Sequence, residues 1–490
     1  MRTEQAEVLV VGGGPGGSTV AGLLARNGLP VKLLERELLP RYHIGESLLP
    51  SCLRIFDLLG VRQHMDQYGF VRKEGGYFDW GGQKWEIDFG AGGKPLYGFQ
   101  VVRGEFDRLL FEHAHRLGAD VRDGTEVTEL IFDEDRPSEA RCRDRDGTER
   151  LIRFRTLVDA SGRAGLMANR YLRNRRYHEA FRNVAVWGYW KRAKRLTVGP
   201  PGAIATCSIP FGWIWGIPLH DGALSIGVVI HKSRFQDLRR YFTLDDLYGQ
   251  AIAMSDVISG LVDGGELAGP LRTETDYSYA AERFAGPGHF LVGDAACFLD
   301  PLLSTGVHLA TFSGMVAAAS ISSLQAGDVT EQEAAEFYSA SYRRAYLRML
   351  VVVSTFYQTH EGRDSYFREA QRLTRNDYSD GELVRAFRNI ISGVEDLADI
   401  AEADGARLLD RLTRLYGQHY EFIRHREQWS DKTLDEINLS RDRMRVINAV
   451  QEEFSLTEET AVNGLYVVSE PRLLLQRVAS YQKAAMQAAR

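Results

Sequence analysis

Residues 9–17 read Leu-Val-Val-Gly-Gly-Gly-Pro-Gly-Gly, which sets glycines 12, 14 and 17 in the pattern G-x-G-x-x-G. The context makes this pattern restrictive. A strand-like run from Glu7 to Val11 precedes it. Ser18 to Arg26 follows with Val20, Ala21, Leu23 and Leu24 at helical spacing, and Asn27-Gly28 ends the periodicity. A second apolar run, Val31 to Leu34, brings Glu35 and its neighbour Arg36 about 20 residues past the fingerprint, where a carboxylate binds a ribose hydroxyl pair. Strand, glycine turn, helix and acid-tipped strand in this order predict a Rossmann-type βαβ unit, with Gly12, Gly14 and Gly17 allowing a pyrophosphate onto the helix N-terminus.

A chain of 490 residues has room for two or three domains around a large core. Its formal charge of -6 excludes a general attraction to nucleic acid. No stretch reads as a signal peptide or a membrane span. Cys52, Cys142, Cys207 and Cys297 are scattered without metal-ligand spacing, so a reduced, cytoplasmic chain with no metal site is expected.

Beyond the βαβ unit come a loop, Arg41 to Ser47, helical stretches at Leu49 to Leu59 and Phe106 to Arg116, and a strand at Ala119 to Arg122. Leu157 to Gly162 is an apolar strand ending in small residues, the form of a turn packed against a ligand. The pattern then changes. Val184–Trp190, Ala203–Ile209, Trp213–Pro218 and Leu224–Ile230 are β-branched and aromatic, separated by Gly, Pro and Asp turns. The expected fold class is α/β: a discontinuous nucleotide domain (1–180 and 280–330), an inserted antiparallel-sheet substrate domain (181–279) and a mainly helical region (331–490). Pro471 is expected in the first turn of the last helix.

Five further segments specify the chemistry. Gln100-Val-Val-Arg103 with Asp107, and Gly293-Asp294-Ala-Ala followed by Asp300-Pro301, resemble two flavin motifs of the class A flavin monooxygenases. The resemblance implies FAD, with Arg103 at the ribityl and phosphate region and Asp294 on the ribityl chain. Trp213-Ile-Trp215-Gly-Ile217-Pro218 has the form W-x-W-x-I-P, and alternation places both indoles on one face of a strand. As an aromatic pair this is also a common sheet core. Lys73 lies in Phe70-Val-Arg-Lys73-Glu-Gly-Gly-Tyr-Phe-Asp-Trp80; by residue type alone it is a solvated surface charge. Asp300-Pro301-Leu-Leu-Ser304-Thr305-Gly306 is a small-residue turn opening a helix, which presents backbone N–H groups to an anion or simply caps the helix.

Taken together, residues 5–330 resemble the flavin-dependent halogenases, and are close to the branch acting on aromatic acyl groups tethered to carrier proteins. By that resemblance Lys73, Trp213 and Trp215 are the catalytic set, and Ser304, Thr305 and Gly306 hold the halide. Pro301 and Gly306 also border the flavin, and Glu46 and Ser47, in Gly45-Glu46-Ser47, belong to a strap beside it. Leu303 stands where tryptophan halogenases carry a glutamate, which argues against free tryptophan and leaves the partner of Lys73 and the final proton acceptor unassigned.

The resemblance implies a mechanism. With a single dinucleotide fingerprint in the chain, reduced FAD is expected from a separate reductase. Oxygen gives a C4a-hydroperoxide, chloride attacks it to form hypochlorous acid, and the two tryptophans confine that oxidant to a path ending at Lys73. Partial burial of Lys73 would lower its pKa. The expected substrate is an electron-rich ring, a tyrosyl-like phenol or a pyrrole, on a peptidyl or acyl carrier protein of natural-product biosynthesis. Phe356-Tyr357, Tyr366-Phe367 and Trp429 either line the chamber or form plain helical core. Lys191-Arg-Ala-Lys-Arg195 either docks an acidic carrier or is a solvated loop. His43 and His308 receive no catalytic role. Competing readings are an aromatic hydroxylase, a geranylgeranyl-reductase-type flavoenzyme and a non-catalytic flavin-binding partner.

Overall fold

The structure is a computed structural model and describes residues 2–90, 96–358 and 457–479. In chain order, β1 (Arg2–Val11), α1 (Pro15–Arg26) and β2 (Val31–Leu34) form the expected unit. They are followed by α2 (Ser51–Leu59), α3 (Arg62–Tyr68), β3 (Val71–Lys73), β4 (Gly75–Trp80), β5 (Gln83–Asp88), β6 (Gly98–Gln100) and α4 (Arg103–Arg116). Next come β7 (Asp120–Arg122), β8 (Thr125–Asp133), β9 (Arg136–Asp144) and β10 (Glu149–Asp159). The long β11 (Arg175–Lys191) leads to β12 (Ile204–Ile209), β13 (Gly212–Pro218) and β14 (Leu224–His231). Three short helices, α5 (Lys232–Leu238), α6 (Leu244–Ala253) and α7 (Asp256–Val262), precede β15 (Glu266–Leu267) and β16 (Arg272–Ala281). The chain closes with β17 (Ala285–Gly286), β18 (His289–Leu291), β19 (Cys297–Phe298), α8 (Gly306–Ala326), α9 (Glu331–Gln358), β20 (Leu465–Val468) and β21 (Leu474–Arg477).

The first sheet runs β17-β18-β10-β1-β2-β7, and its five strands from β18 to β7 are parallel. Val8, Leu9 and Val10 are wholly buried, as a central parallel strand covered on both faces requires. Helix α1 packs on α4 and α8. Although α8 is long and apolar enough to cross a membrane, 89% of that stretch is buried inside the fold, so it is a core helix.

The second sheet runs β19-β16-β11-β14-β13-β12-β4-β5 and is antiparallel except where β12 meets β4. Its alternation divides the core. Trp213, Trp215 and Val229 face the main core, whereas Ile214, Val228 and Ile230 join Leu247, Ala251 and Ile258 beneath α6 and α7. Both faces are therefore buried, and β13 is apolar throughout. Strands β4 and β5, from early in the chain, complete one edge of the sheet; they and α5–α7 went unread in the sequence. The β4–β5 hairpin follows directly on Lys73.

The chain around Pro471 differs from the expected helix. Leu465-Tyr-Val-Val468 pairs with Leu474–Arg477 as a hairpin, and Pro471 lies in its connection. Tertiary docking outweighs the helical pattern there. Asn27 donates to the Leu473 carbonyl at 2.8 Å, Ser323 Oγ accepts from the Leu475 amide at 2.7 Å, and Leu473 and Leu475 are buried. β-branched and aromatic residues in β20 suit that state.

Candidate active site

At the nucleotide end the three glycines have separate tasks. Gly12 has φ +109°, and a Cβ there would lie 2.1 Å from the Ala160 carbonyl oxygen. A Cβ on Gly17 would lie 1.9 Å from the Gly12 oxygen, so the third glycine lets α1 close onto β1. At Gly14 the added carbon would meet only Arg41 Nη2, at 3.5 Å, which leaves the backbone open to approach. No side chain caps α1, so its first amides are available to an anion. Glu35 Oε2 accepts from the Gly13 amide at 2.8 Å. Arg36 is instead exposed and faces Glu37 at 3.4 Å, away from this group.

Two guanidinium groups adjoin the turn. Arg41 and Arg103 both bond the buried Asp107, each at 3.0 Å, and Arg103 also donates to the Ile44 carbonyl at 2.6 Å. Burial acts to raise the Asp107 pKa, but Arg103 and Arg41 outweigh it and hold the carboxyl below its usual range. Asp294 follows β18. Burial raises its pKa, while Arg163, Arg103 and Arg175 pull it down. A glycine turn at a bare helix N-terminus, two arginines, Glu35 and a sequestered Asp294 fit the phosphate, ribose and ribityl parts of FAD. Arg41 and Arg163 were not singled out as binding groups from sequence, because only the fold brings them beside the motif residues, whereas Asp107 lies one helical turn from Arg103 in the motif itself.

The second group centres on Lys73, which is 3% exposed and pairs in register with Gly98. Its Nζ donates to Ser47 Oγ at 2.8 Å and Ser304 Oγ at 3.4 Å and stands 5.8 Å from the Phe89 ring centroid. Burial pushes its pKa down to about 7, with only a small opposing effect from Cys52 and no carboxylate counterion among the described residues. At neutral pH much of it is therefore a neutral amine with a free lone pair. Ser47, assigned from sequence to the strap, is its partner.

Ser304 adopts a left-handed φ of +58°, which turns the chain into α8. Thr305 is buried, and its Oγ1 has no hydrogen-bond partner among the described residues. A Cβ on Gly306 would meet nothing within 4 Å, so the first residue of α8 borders open space. An orphaned hydroxyl beside a long helix's N-terminus suits a small anion. Pro301 opens the preceding turn, held where Asp300 Oδ1 accepts from the Leu302 amide at 3.0 Å.

The tryptophans lie 5.9 Å apart between ring centroids, tilted by 51°. Trp215 Nε1 donates to Ser225 Oγ at 3.2 Å, and its indole occupies space opened by Gly227, where a Cβ would fall 2.1 Å from Trp215 Cζ2. Trp213 Nε1 donates to the Tyr357 hydroxyl at 2.8 Å, which donates to Asp300 Oδ2 at 2.9 Å; Asn183 donates to the same oxygen at 2.7 Å. Tyr357 thus ties the first indole to the Asp300 segment that leads into the Ser304–Gly306 turn. The Phe356 side chain, Tyr366, Phe367 and Trp429 lie outside the described residues.

Burial lowers the pKa of His43 and of His308 to about 4, so neither carries charge near neutrality. In the basic loop Arg192 pairs with Glu266 at 2.7 Å, Lys194 pairs with Asp263 at 2.6 Å, and Arg195 donates to the Leu219 carbonyl at 2.9 Å. Three of its four cations are thus locally engaged.

With this geometry in hand, known proteins are informative. The profile of the tryptophan halogenase family matches residues 7–96 and 93–403. A tryptophan 2-halogenase of Chondromyces crocatus is 42% identical over 494 residues, covering 96% of this chain and 94% of that protein. Among solved structures, the myxobacterial chondrochloren halogenase CndH, an FAD-dependent halogenase, aligns with TM-score 0.72 at 34% identity over 80% of this chain and 90% of its own. The flavin-dependent halogenase CmlS aligns with TM-score 0.74 at 31% identity over 96% and 84%.

Proposed function

Because the chain belongs to the tryptophan halogenase family and is accordingly an FAD-dependent halogenase of aromatic substrates, we propose that Lys73 transfers the halogen and that Ser304, Thr305 and Gly306 hold the chloride. Reduced FAD, typically supplied to such enzymes by a separate reductase, provides the oxygen activation that oxidises chloride. The protein's part is to hold, confine and deliver. Thr305 and the α8 terminus would position the anion, and Trp213 and Trp215 would keep the ring from direct contact with the flavin. Lys73, with a neutral fraction available at its depressed pKa, would take up the chlorine on its lone pair or hold hypochlorous acid by a hydrogen bond, with Ser47 and Ser304 fixing Nζ. The observation that carries this reading is the meeting of Lys73, Ser47 and Ser304 across 26 and 231 residues of sequence.

The substrate we propose is an electron-rich ring, first a tyrosyl-like phenol, then a pyrrole, presented by a carrier protein in a reducing, cytoplasmic compartment. Buried, free cysteines accord with that compartment. The expected exclusion of tryptophan through Leu303 loses its force beside a 42% identical protein named tryptophan 2-halogenase, so an indole joins the candidate rings. The carrier arm rests on motif resemblance, since the Lys191–Arg195 loop spends most of its charge on local partners. The packed indole pair disfavours a hydroxylase, which needs an open path from flavin to ring.

Lys73→Ala should leave FAD oxidation running while carbon–chlorine bond formation stops, for phenol, pyrrole and indole acids offered free and as carrier thioesters. Normal chlorination by this variant would overturn the assignment. Turnover of free acids at the rate of thioesters would overturn the carrier part alone.

A further inference from the structure

The strap that gives Ser47 to Lys73 also carries a buried carboxyl to which the chemistry above assigns no step. Glu46 is 3% exposed. Its Oε1 accepts from the Tyr189 hydroxyl at 2.7 Å, its Oε2 is buried, and the Ser225 hydroxyl also faces the carboxyl. The Tyr189 hydroxyl lies 3.0 Å from that of Tyr42, which also accepts from Trp187 Nε1 at 2.6 Å. Tyr42 is 44% exposed, with the Arg272 guanidinium 3.7 Å from its ring centroid. Three oxygen-bearing side chains thus form one hydrogen-bonded line from interior to surface.

We propose that Tyr42, Tyr189 and Glu46 carry protons between solvent and the buried strap beside Arg103 and Trp215. The family's reaction requires an external proton. Written in full, FADH2 + O2 + Cl⁻ + H⁺ + ArH gives FAD + ArCl + 2 H2O, so each turnover that removes an anion also consumes one proton. Inward transfer is balanced at every atom. The Tyr42 oxygen takes a proton from water as its own proton passes to the Tyr189 oxygen. The Tyr189 proton then passes to Glu46 Oε1, and rotation of the two hydroxyls resets the line. No electron moves and no tyrosinate is held, since burial raises the pKa of both phenols.

The groups facing Glu46 suit a reservoir. Burial raises its pKa, the Ser225 and Tyr189 hydroxyls and Arg103 lower it, and Asp221 raises it, leaving it at about 7. Ser225 also receives the Trp215 indole N–H, which places the inner end of the line beside the aromatic barrier.

The test uses the full-length, FAD-loaded protein without halide or aromatic substrate, so it is independent of the role of Lys73; only the proton stoichiometry rests on the halogenase reading. Infrared difference spectra should show a protonated-carboxyl band titrating between about pH 5 and pH 9 and lost in Glu46→Gln. After a pH jump, Tyr189→Phe should retain the band but slow its exchange with solvent by about tenfold or more, and Tyr42→Phe, at the exposed end, should do the same if the buried variant misfolds. With reductant, oxygen, chloride and substrate added, dye-detected proton uptake should slow in parallel. Absence of a Glu46 band, or wild-type exchange in a folded Tyr189→Phe or Tyr42→Phe, overturns the proposal.

Discussion

Replacing Lys73 with methionine should change the sign of its effect on stability as pH rises. The folded state holds this lysine at a pKa of about 7 against 10.5 for the free side chain, because burial disfavours the ammonium. Unfolding therefore takes up a proton between those values. No charge penalty is present above pH 10.5. It grows by about 1.4 kcal/mol per pH unit as pH falls, and reaches about 5 kcal/mol below pH 7. Methionine matches the four-atom stem and carries no charge, but without the terminal nitrogen it forfeits the hydrogen bonds to Ser47 and Ser304, about 1 kcal/mol each. Net, Lys73→Met should be more stable than wild type by about 3 kcal/mol near pH 7, equal to it near about pH 9, and less stable by about 2 kcal/mol above pH 10.5. Denaturant unfolding of both proteins across this range measures the difference directly. A constant gap would refute the claim that Lys73 is a desolvated amine with a lowered pKa, whatever the variant does to chlorination.

Three further substitutions probe the neighbouring parts. Gly227→Ala puts a carbon into the Trp215 indole; it should cost about 1–3 kcal/mol, shift tryptophan fluorescence, and lower the chlorinated product formed per FAD oxidised, whereas unchanged fluorescence would mean that the indole has room to move. Tyr357→Phe removes the hydroxyl between Trp213 and Asp300, so about 1–3 kcal/mol of stability should be lost, with more oxidant escaping to a hypochlorite trap; wild-type coupling would show that Trp213 stays placed without it. Thr305→Val deletes a buried hydroxyl that bonds nothing among the described residues, so it should leave stability unchanged or improved and raise the chloride concentration needed for half-maximal rate; an unaltered chloride dependence would remove Thr305 from the halide site.

What sequence reasoning reached follows from the range of the forces involved. The glycine turn is governed by sterics within a few residues, and Gly12, Gly14 and Gly17 stand in the structure as G-x-G-x-x-G implies. The shared face of Trp213 and Trp215 follows from the two-residue period of a strand. Partners from separate elements follow no such period. Nothing in the spacing of Ser47 and Lys73 specifies a 2.8 Å contact, and Tyr357 on α9 reads equally as chamber wall or as plain helical core until β13 and the Asp300 turn are set beside it. Around Pro471, the grip of Asn27 on the Leu473 backbone decides between helix and hairpin, and that residue lies at the other end of the chain.

One connection was within reach of the rule used for the tryptophans. The strap is extended where the Val101 amide bonds the Glu46 carbonyl, Ser47 bridges Gln100 and the Leu48 amide bonds the Phe99 carbonyl. Adjacent side chains on extended backbone point to opposite sides. Gly45-Glu46-Ser47, treated as one motif of a strap beside the flavin, therefore serves two directions: Ser47 turns to Lys73, which also reaches Ser304, and Glu46 turns to Tyr189 and the Trp215 side of the second sheet. Exchanging the two residues, Glu46→Ser with Ser47→Glu, would bury a carboxyl against the Lys73 amine and leave the Tyr189 hydroxyl without its acceptor. An ionised partner at Lys73 would restore its ammonium form, which has no lone pair to accept chlorine. The order of these two residues thus keeps the amine's pKa low as well as holding it in place.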